Sequence, residues 1–241
     1  MSYSMLQSHL PMNEILGPVL FFVVTQISGM TAQKNPVSLS LLSTETISLD
    51  KRYGNEFVND VFKDNILLNI AYMANKVTKR QDINWNEIEK PFEYRFVLMP
   101  NKTFAYHSDV LSQYKDSLAI TTNANFNADD GFKSDGYLVG DGVCHLASLM
   151  YWSAKTAGLD SYAPSNHDFA EIPEIDKKFG VAIYKMPGNY QANAMQNLYI
   201  TNNKKNPVVF EFSYKNDQLK LSMFEAVSPL SYNPLTSVSI F

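Results

Sequence analysis

The chain has 241 residues, 45% hydrophobic and 13% aromatic, which is enough to bury a sizeable core in one large domain and too apolar for a disordered segment. Its 20 basic and 24 acidic side chains leave a net charge of −4 and are interspersed, so neither a nucleic-acid footprint nor a polybasic membrane patch is expected. A single cysteine excludes an internal disulfide, and with no CxxC or His-x-x-x-His pair neither a metal site nor a cofactor is expected.

The first candidate element is the apolar run Ile15 to Ile27. It has the length of a signal-peptide h-region and falls short of the roughly 18 to 20 residues that span a bilayer. On this reading residues 1–33 are a signal peptide or N-terminal extension and the chain's only membrane contact, followed by a single domain over 34–241. No lysine or arginine precedes Lys34, and Pro18 interrupts the run. The competing reading is therefore a buried helix or strand of a cytoplasmic protein.

Val37, Leu39 and Leu41 alternate with serines, and Ile47 and Leu49 continue the pattern, as one or two half-buried strands would. Phe62, Ile66, Ile70, Met73, Ala74 and Val77 fall at helical spacing, with Asp60 available as a cap and Lys76, Lys79 and Arg80 near the end. That charge order suits the dipole of an amphipathic helix. Tyr94 to Met99 and Thr103 to Tyr106 read as strands, with His107 and Asp109 following at the strand end, on the surface or in a cleft. Residues 122–136, rich in Asn, Asp and Gly, read as an exposed loop.

That loop leads into Gly140-Asp141-Gly142-Val143-Cys144-His145, followed by an apolar, small-residue run from Leu146 to Ala157 that Gly158 closes. A glycine turn lets backbone approach a bound group, and the helix it opens aims unpaired N–H groups and a positive dipole end at the thiol, favouring thiolate. Equally, Cys144 reads as a small buried hydrophobe closing the first helical turn. The helix is expected to be buried on most of its circumference, with Ala147, Ser148 and Tyr151 on the cysteine's side. Asp141 suits a cap, or holds a substrate amine.

Catalysis by the thiol requires a base. His167 is the best candidate, with Asp168 or Asp176 to orient it, and the alternative is a solvated loop histidine. His145 projects about 100° away from Cys144 around the helix and is better placed to bind substrate. Val181 to Lys185, Gln196 to Asn202, Val208 to Tyr214 and Leu219 to Phe224 read as strands, the last two joined by a turn at 215–218. The fold class is α+β: an antiparallel sheet packed against a buried cysteine-bearing helix and a second amphipathic helix.

Gly140-x-Gly142-Val143-Cys144, with Ala147-Ser148, Tyr151, Ala154 and Ala157-Gly158-Leu159, resembles the glycine-glycine-glycine-valine-cysteine signature and following helix of the VanW-like proteins. Val97-Leu98-Met99-Pro100 through Tyr106 upstream, and Asn197 to Asn203 with Asn206-Pro207-Val208 downstream, are similar to further segments of that family, so the resemblance covers about residues 40 to 225. Here Asp141 replaces the middle glycine, His145 the usual glutamine, His167-Asp168 a histidine-serine pair, and Asn197 an acidic residue.

The resemblance implies an envelope or secreted protein. Two functions follow from it and from the cysteine turn. One is a cysteine-dependent amidase or transpeptidase acting on cell-wall peptides, with Cys144, His167 and Asp168 catalytic and Gly140, Asp141, Gly142, His145 and Ser148 binding substrate. The other is a non-catalytic envelope module that binds cell-wall peptide, peptidoglycan or a partner protein. In both, no nucleic acid is expected as a partner.

Overall fold

A computed structural model describes residues 38–51, 54–137, 139–167 and 173–227. The apolar run at 15–27 and Asp168 lie outside the described residues. In chain order the elements are β1 (Ser38–Ser48), α1 (Glu56–Met73), α2 (Trp85–Ile88), β2 (Phe92–Leu98), β3 (Thr103–Ala105), β4 (Leu118–Ile120), α3 (Val143–Thr156), β5 (Asp160–Tyr162), α4 (Tyr190–Met195), β6 (Tyr199–Thr201), β7 (Val208–Lys215) and β8 (Gln218–Val227). The fold is α+β. Among the described residues the strands form two sheets of four, ordered β1-β8-β7-β2 and β4-β3-β6-β5; the first is antiparallel, and the second contains one parallel pair, β3 with β4.

The β7–β8 hairpin forms where the sequence places it. Lys215 pairs with Gln218, and the two residues between them, Asn216 and Asp217, have φ of 51° and 53°, the left-handed pair that a tight hairpin turn needs and that Asn and Asp tolerate. Alternation along β7 then turns Val208, Phe210, Phe212 and Tyr214 inward. Phe210 lies opposite Phe96 on β2 with ring centroids 4.5 Å apart, and Phe96 stacks in turn on Phe104 of β3 at 5.6 Å. These aromatic contacts join the two sheets into one core.

β1 departs from the simple period-two reading. A bulge between Leu41 and Ser43 inserts one residue, which exchanges the faces of the strand on either side of it. Ile47 is fully buried, whereas Leu39 and Leu41 point outward and remain exposed.

The helices differ from expectation in the same sense. α1 begins at Glu56, capped by the Asn55 side chain accepting the Phe57 N–H, so Asp60 lies inside the helix rather than at its cap. Glu56, Phe57 and Asp60 leave an exposed side on the first turns of α1, whereas from Asp64 to Met73 every residue is buried. Its interior asparagines are therefore obliged to find partners. α3 is buried from His145 to Met150 and lies against β1, β8 and β5. Among the described residues no helix is long and apolar enough to cross a membrane.

Candidate functional site

The glycine turn is a packing device before anything else. Gly140 and Gly142 have φ of 91° and 97°, a region L side chains rarely adopt, and a Cβ would stand 2.9 Å from the Phe126 carbonyl oxygen at Gly140 and 2.6 Å from the Phe62 carbonyl oxygen at Gly142. The second contact fixes how closely the start of α3 approaches α1. Buried Asn65 of α1 clamps the same turn. Its amide donates to the Asp141 carbonyl at 2.8 Å and the Lys133 carbonyl at 3.0 Å, and its side-chain oxygen accepts the Lys133 N–H at 2.8 Å.

One turn along α1, the Asn69 amide donates to the Tyr106 hydroxyl at 2.6 Å, which donates to the Val143 carbonyl at 3.0 Å. Burial, and secondarily the charge of Cys144, raise the Tyr106 pKa well above its ordinary value, which keeps the hydroxyl a donor. Sequence reading passed over both asparagines. Their signal was two amides spaced i, i+4 inside an otherwise apolar helix.

Cys144 is the second residue of α3 and half-buried. Its Sγ accepts the Ile183 N–H at 3.4 Å and lies 3.7 Å from the Ile183 carbonyl oxygen, toward which the S–H donates. Ser148, one turn on, repeats the arrangement: its Oγ accepts the Val181 N–H at 3.0 Å and donates to the Cys144 carbonyl at 2.8 Å. The intervening Ala182 N–H turns the other way, to the Ser165 carbonyl at 3.0 Å. Alternating amides of this kind belong to an extended chain. The segment read as a strand at Val181 to Lys185 is therefore extended but lies outside both sheets, held by α3 side chains on one side and by backbone near Ser165 on the other.

That placement bears on the other candidates. The His167 carbonyl oxygen lies against Gly180, and the residue is half-buried with its Nδ1 closed off from solvent. His145 is 3% exposed on the buried side of α3. Asp141 does not cap the helix: the N-cap is Gly142, without a side-chain bond, and the Asp141 carboxylate instead accepts the Asp135 N–H at 3.3 Å. Asp176 accepts the Lys178 N–H in its own turn. Among the described residues no cluster of His, Cys, Asp or Glu suits a metal.

His107 lies in the core rather than on the surface, at 1% exposure. Its Nε2 donates to the Gln196 carbonyl at 3.1 Å, while its Nδ1 accepts from the Asn197 amide at 3.2 Å, which fixes the neutral tautomer. Desolvation is the main cause that pushes its pKa down to about 4. Between pH 6.5 and about 4 the unfolded chain binds a proton at His107 that the folded chain refuses, so stability falls on acidification through this window by about 3 kcal/mol.

Asp141 opposes this. Burial and the nearby Asp135 carboxylate raise its pKa from 3.8 to about 6, so its contribution is fully present below pH 3.8 and lost as pH rises through about 6. Asp141→Asn is expected to stabilise the protein at pH 7 and to steepen its loss of stability between pH 6 and 4. Urea unfolding of both forms across that range measures the effect, and parallel pH profiles would contradict it.

No curated protein and no solved structure matches the chain. The family described as VanW like protein matches residues 94–224, which run from β2 to β8 and take in the glycine turn, Cys144, Ser148 and the 181–183 segment they hold. Since that match spans more than half of the sequence, the chain belongs to the VanW-like family.

Proposed function

We propose that this VanW-like chain is a non-catalytic binding module of the cell envelope, taking cell-wall peptide, peptidoglycan or a partner protein, with the cysteine turn as its internal fastening. The observation that carries the reading is the paired use of Cys144 and Ser148, both of which spend their side chains on the backbone of residues 181–183. A thiol held this way behaves as a structural group rather than a nucleophile. Gly140 and Gly142 have packing roles of the same kind.

A second reading has two features in its favour. Cys144 sits in the first turn of α3 with an amide N–H aimed at its sulfur, and both features stabilise a thiolate. It would make the chain an amidase or transpeptidase of cell-wall peptides, with His167 as base and Asp168 orienting it.

Thiol chemistry separates the two. On the binding-module reading, iodoacetamide labels Cys144 in the folded protein at pH 6 to 7 more slowly than in urea. Cys144→Ala lowers stability by about 1–2 kcal/mol through the lost Ile183 contact. The variant still co-sediments with purified cell walls. Labelling faster than a free thiol, together with stem-peptide cleavage that Cys144→Ser abolishes at unchanged stability, would establish the enzyme instead.

A further inference from the structure

A cavity of about 250 Å³ opens between α1, α2 and β2, and none of its lining residues belongs to the cysteine turn. Leu67, Ile70, Ala71, Val77 and Ile88, all buried, form its apolar part, with Phe92 beside them. A dry cavity of about 150 Å³ takes a benzene molecule, so this volume suits a ring or branched aliphatic group with a short substituent.

The charges that line it are not equivalent. Glu87 is paired with Lys90 at 2.6 Å. Asp82 is held in orientation by three donors, the Thr78 hydroxyl at 2.7 Å and the N–H groups of Thr78 and Lys79 at 3.0 and 3.2 Å, all directed to Oδ2. Those bonds keep the carboxyl ionised, and none of them uses Oδ1. Lys76 has no ion pair among the described residues; its Nζ stands 5.7 Å from the centroid of the Phe92 ring. The solvent-facing part of this cavity's lining thus carries a fixed carboxylate and an ammonium, both exposed, that are not paired with each other.

We propose that this cavity is a binding site for a free amino acid with a ring-sized or branched apolar side chain. The side chain occupies the space lined by Leu67, Ile70, Ala71 and Ile88, the α-carboxylate meets Lys76, and the α-ammonium meets Asp82. Lys76 and Asp82 are both exposed, so a ligand carrying only one charge forgoes one modest, water-screened charge pair, and a ligand without the side chain leaves the apolar walls wet.

The test is calorimetric titration of the full chain with L-phenylalanine, and with three analogues that each lack one element: 3-phenylpropionate without the ammonium, phenethylamine without the carboxylate, and glycine without the side chain. Saturable binding of one L-phenylalanine per chain is expected, with each single-charge analogue about two- to fivefold weaker, the scale of one exposed charge pair, and with glycine not binding measurably. Lys76→Gln should weaken L-phenylalanine about fivefold while leaving phenethylamine unchanged.

Ala71→Leu fills the cavity and should abolish binding. Ala74→Leu, at the half-buried rim, does so without disturbing the helix interior and serves if the first variant does not fold. Absence of saturable binding, binding retained in a folded filled variant, or equal affinity for L-phenylalanine and 3-phenylpropionate would each overturn the assignment. Cys144→Ala should bind L-phenylalanine normally, so the result is independent of the thiol's role.

Discussion

Gly142→Ala is expected to destabilise the protein by about 4 kcal/mol, through two terms that a control can separate. The first is conformational: a φ of 97° strains any residue with a Cβ, at about 1–3 kcal/mol. The second is steric. The new methyl would stand 2.6 Å from the Phe62 carbonyl oxygen, and that atom belongs to the backbone of α1, so it cannot swing aside as a flexible side chain would. Relief requires α1 and the start of α3 to move apart, which loosens the Asn65 clamp on the Asp141 and Lys133 carbonyls. Gly188 has a similar φ of 81° with nothing within 4 Å of its would-be Cβ. Gly188→Ala should therefore show the conformational term alone. Equal urea midpoints for the two variants would mean that the close approach of α1 and α3 contributes nothing.

Asn197→Ala should cost at least as much. Asn197 is fully buried, and its Oδ1 accepts the N–H groups of Leu198 at 2.8 Å and His107 at 3.3 Å. Its amide reaches the carbonyls of His107 at 3.1 Å and Asp109 at 3.0 Å as well as the His107 ring. Truncation strips these interior backbone groups of partners at about 1–3 kcal/mol for each one left unsatisfied, so a loss of about 4 kcal/mol or more is expected. Amide exchange at His107 and Leu198 should accelerate with it, which a distant loosening of the fold would not single out. A loss below about 1 kcal/mol would indicate that water replaces the side chain.

Asn197→Asp behaves differently because a carboxylate beside Nδ1 favours the imidazolium. It raises the His107 pKa from about 4 and flattens the loss of stability between pH 6.5 and 4. That substitution restores the acidic residue that the family resemblance places at this position.

Sequence alone determined the features that depend on near neighbours. The β7–β8 hairpin was legible because Asn216 and Asp217 favour the left-handed turn between two alternating runs, and the burial of α3 was legible in its lack of polar surface. Membership in the VanW-like family was legible in the glycine turn and its flanking segments. What escaped depended on residues far apart in the chain. Nothing local to Leu39 and Leu41 announces a bulge that exchanges the strand faces, since the bulge exists only in register with β8. α1 reads as one-sided because its asparagines count as polar, yet their side-chain amides donate to chain brought in from elsewhere, Lys133 and Asp141 for Asn65 and Tyr106 for Asn69. Cys144 is the plainest case. Its position at the start of a helix suits either a nucleophile or a fastening, and only the folded chain brings Ile183 to its sulfur. A side chain's chemistry depends on the groups within a few ångströms, and for Cys144 those come from a segment whose own strand-like pattern could not say what it would lie against.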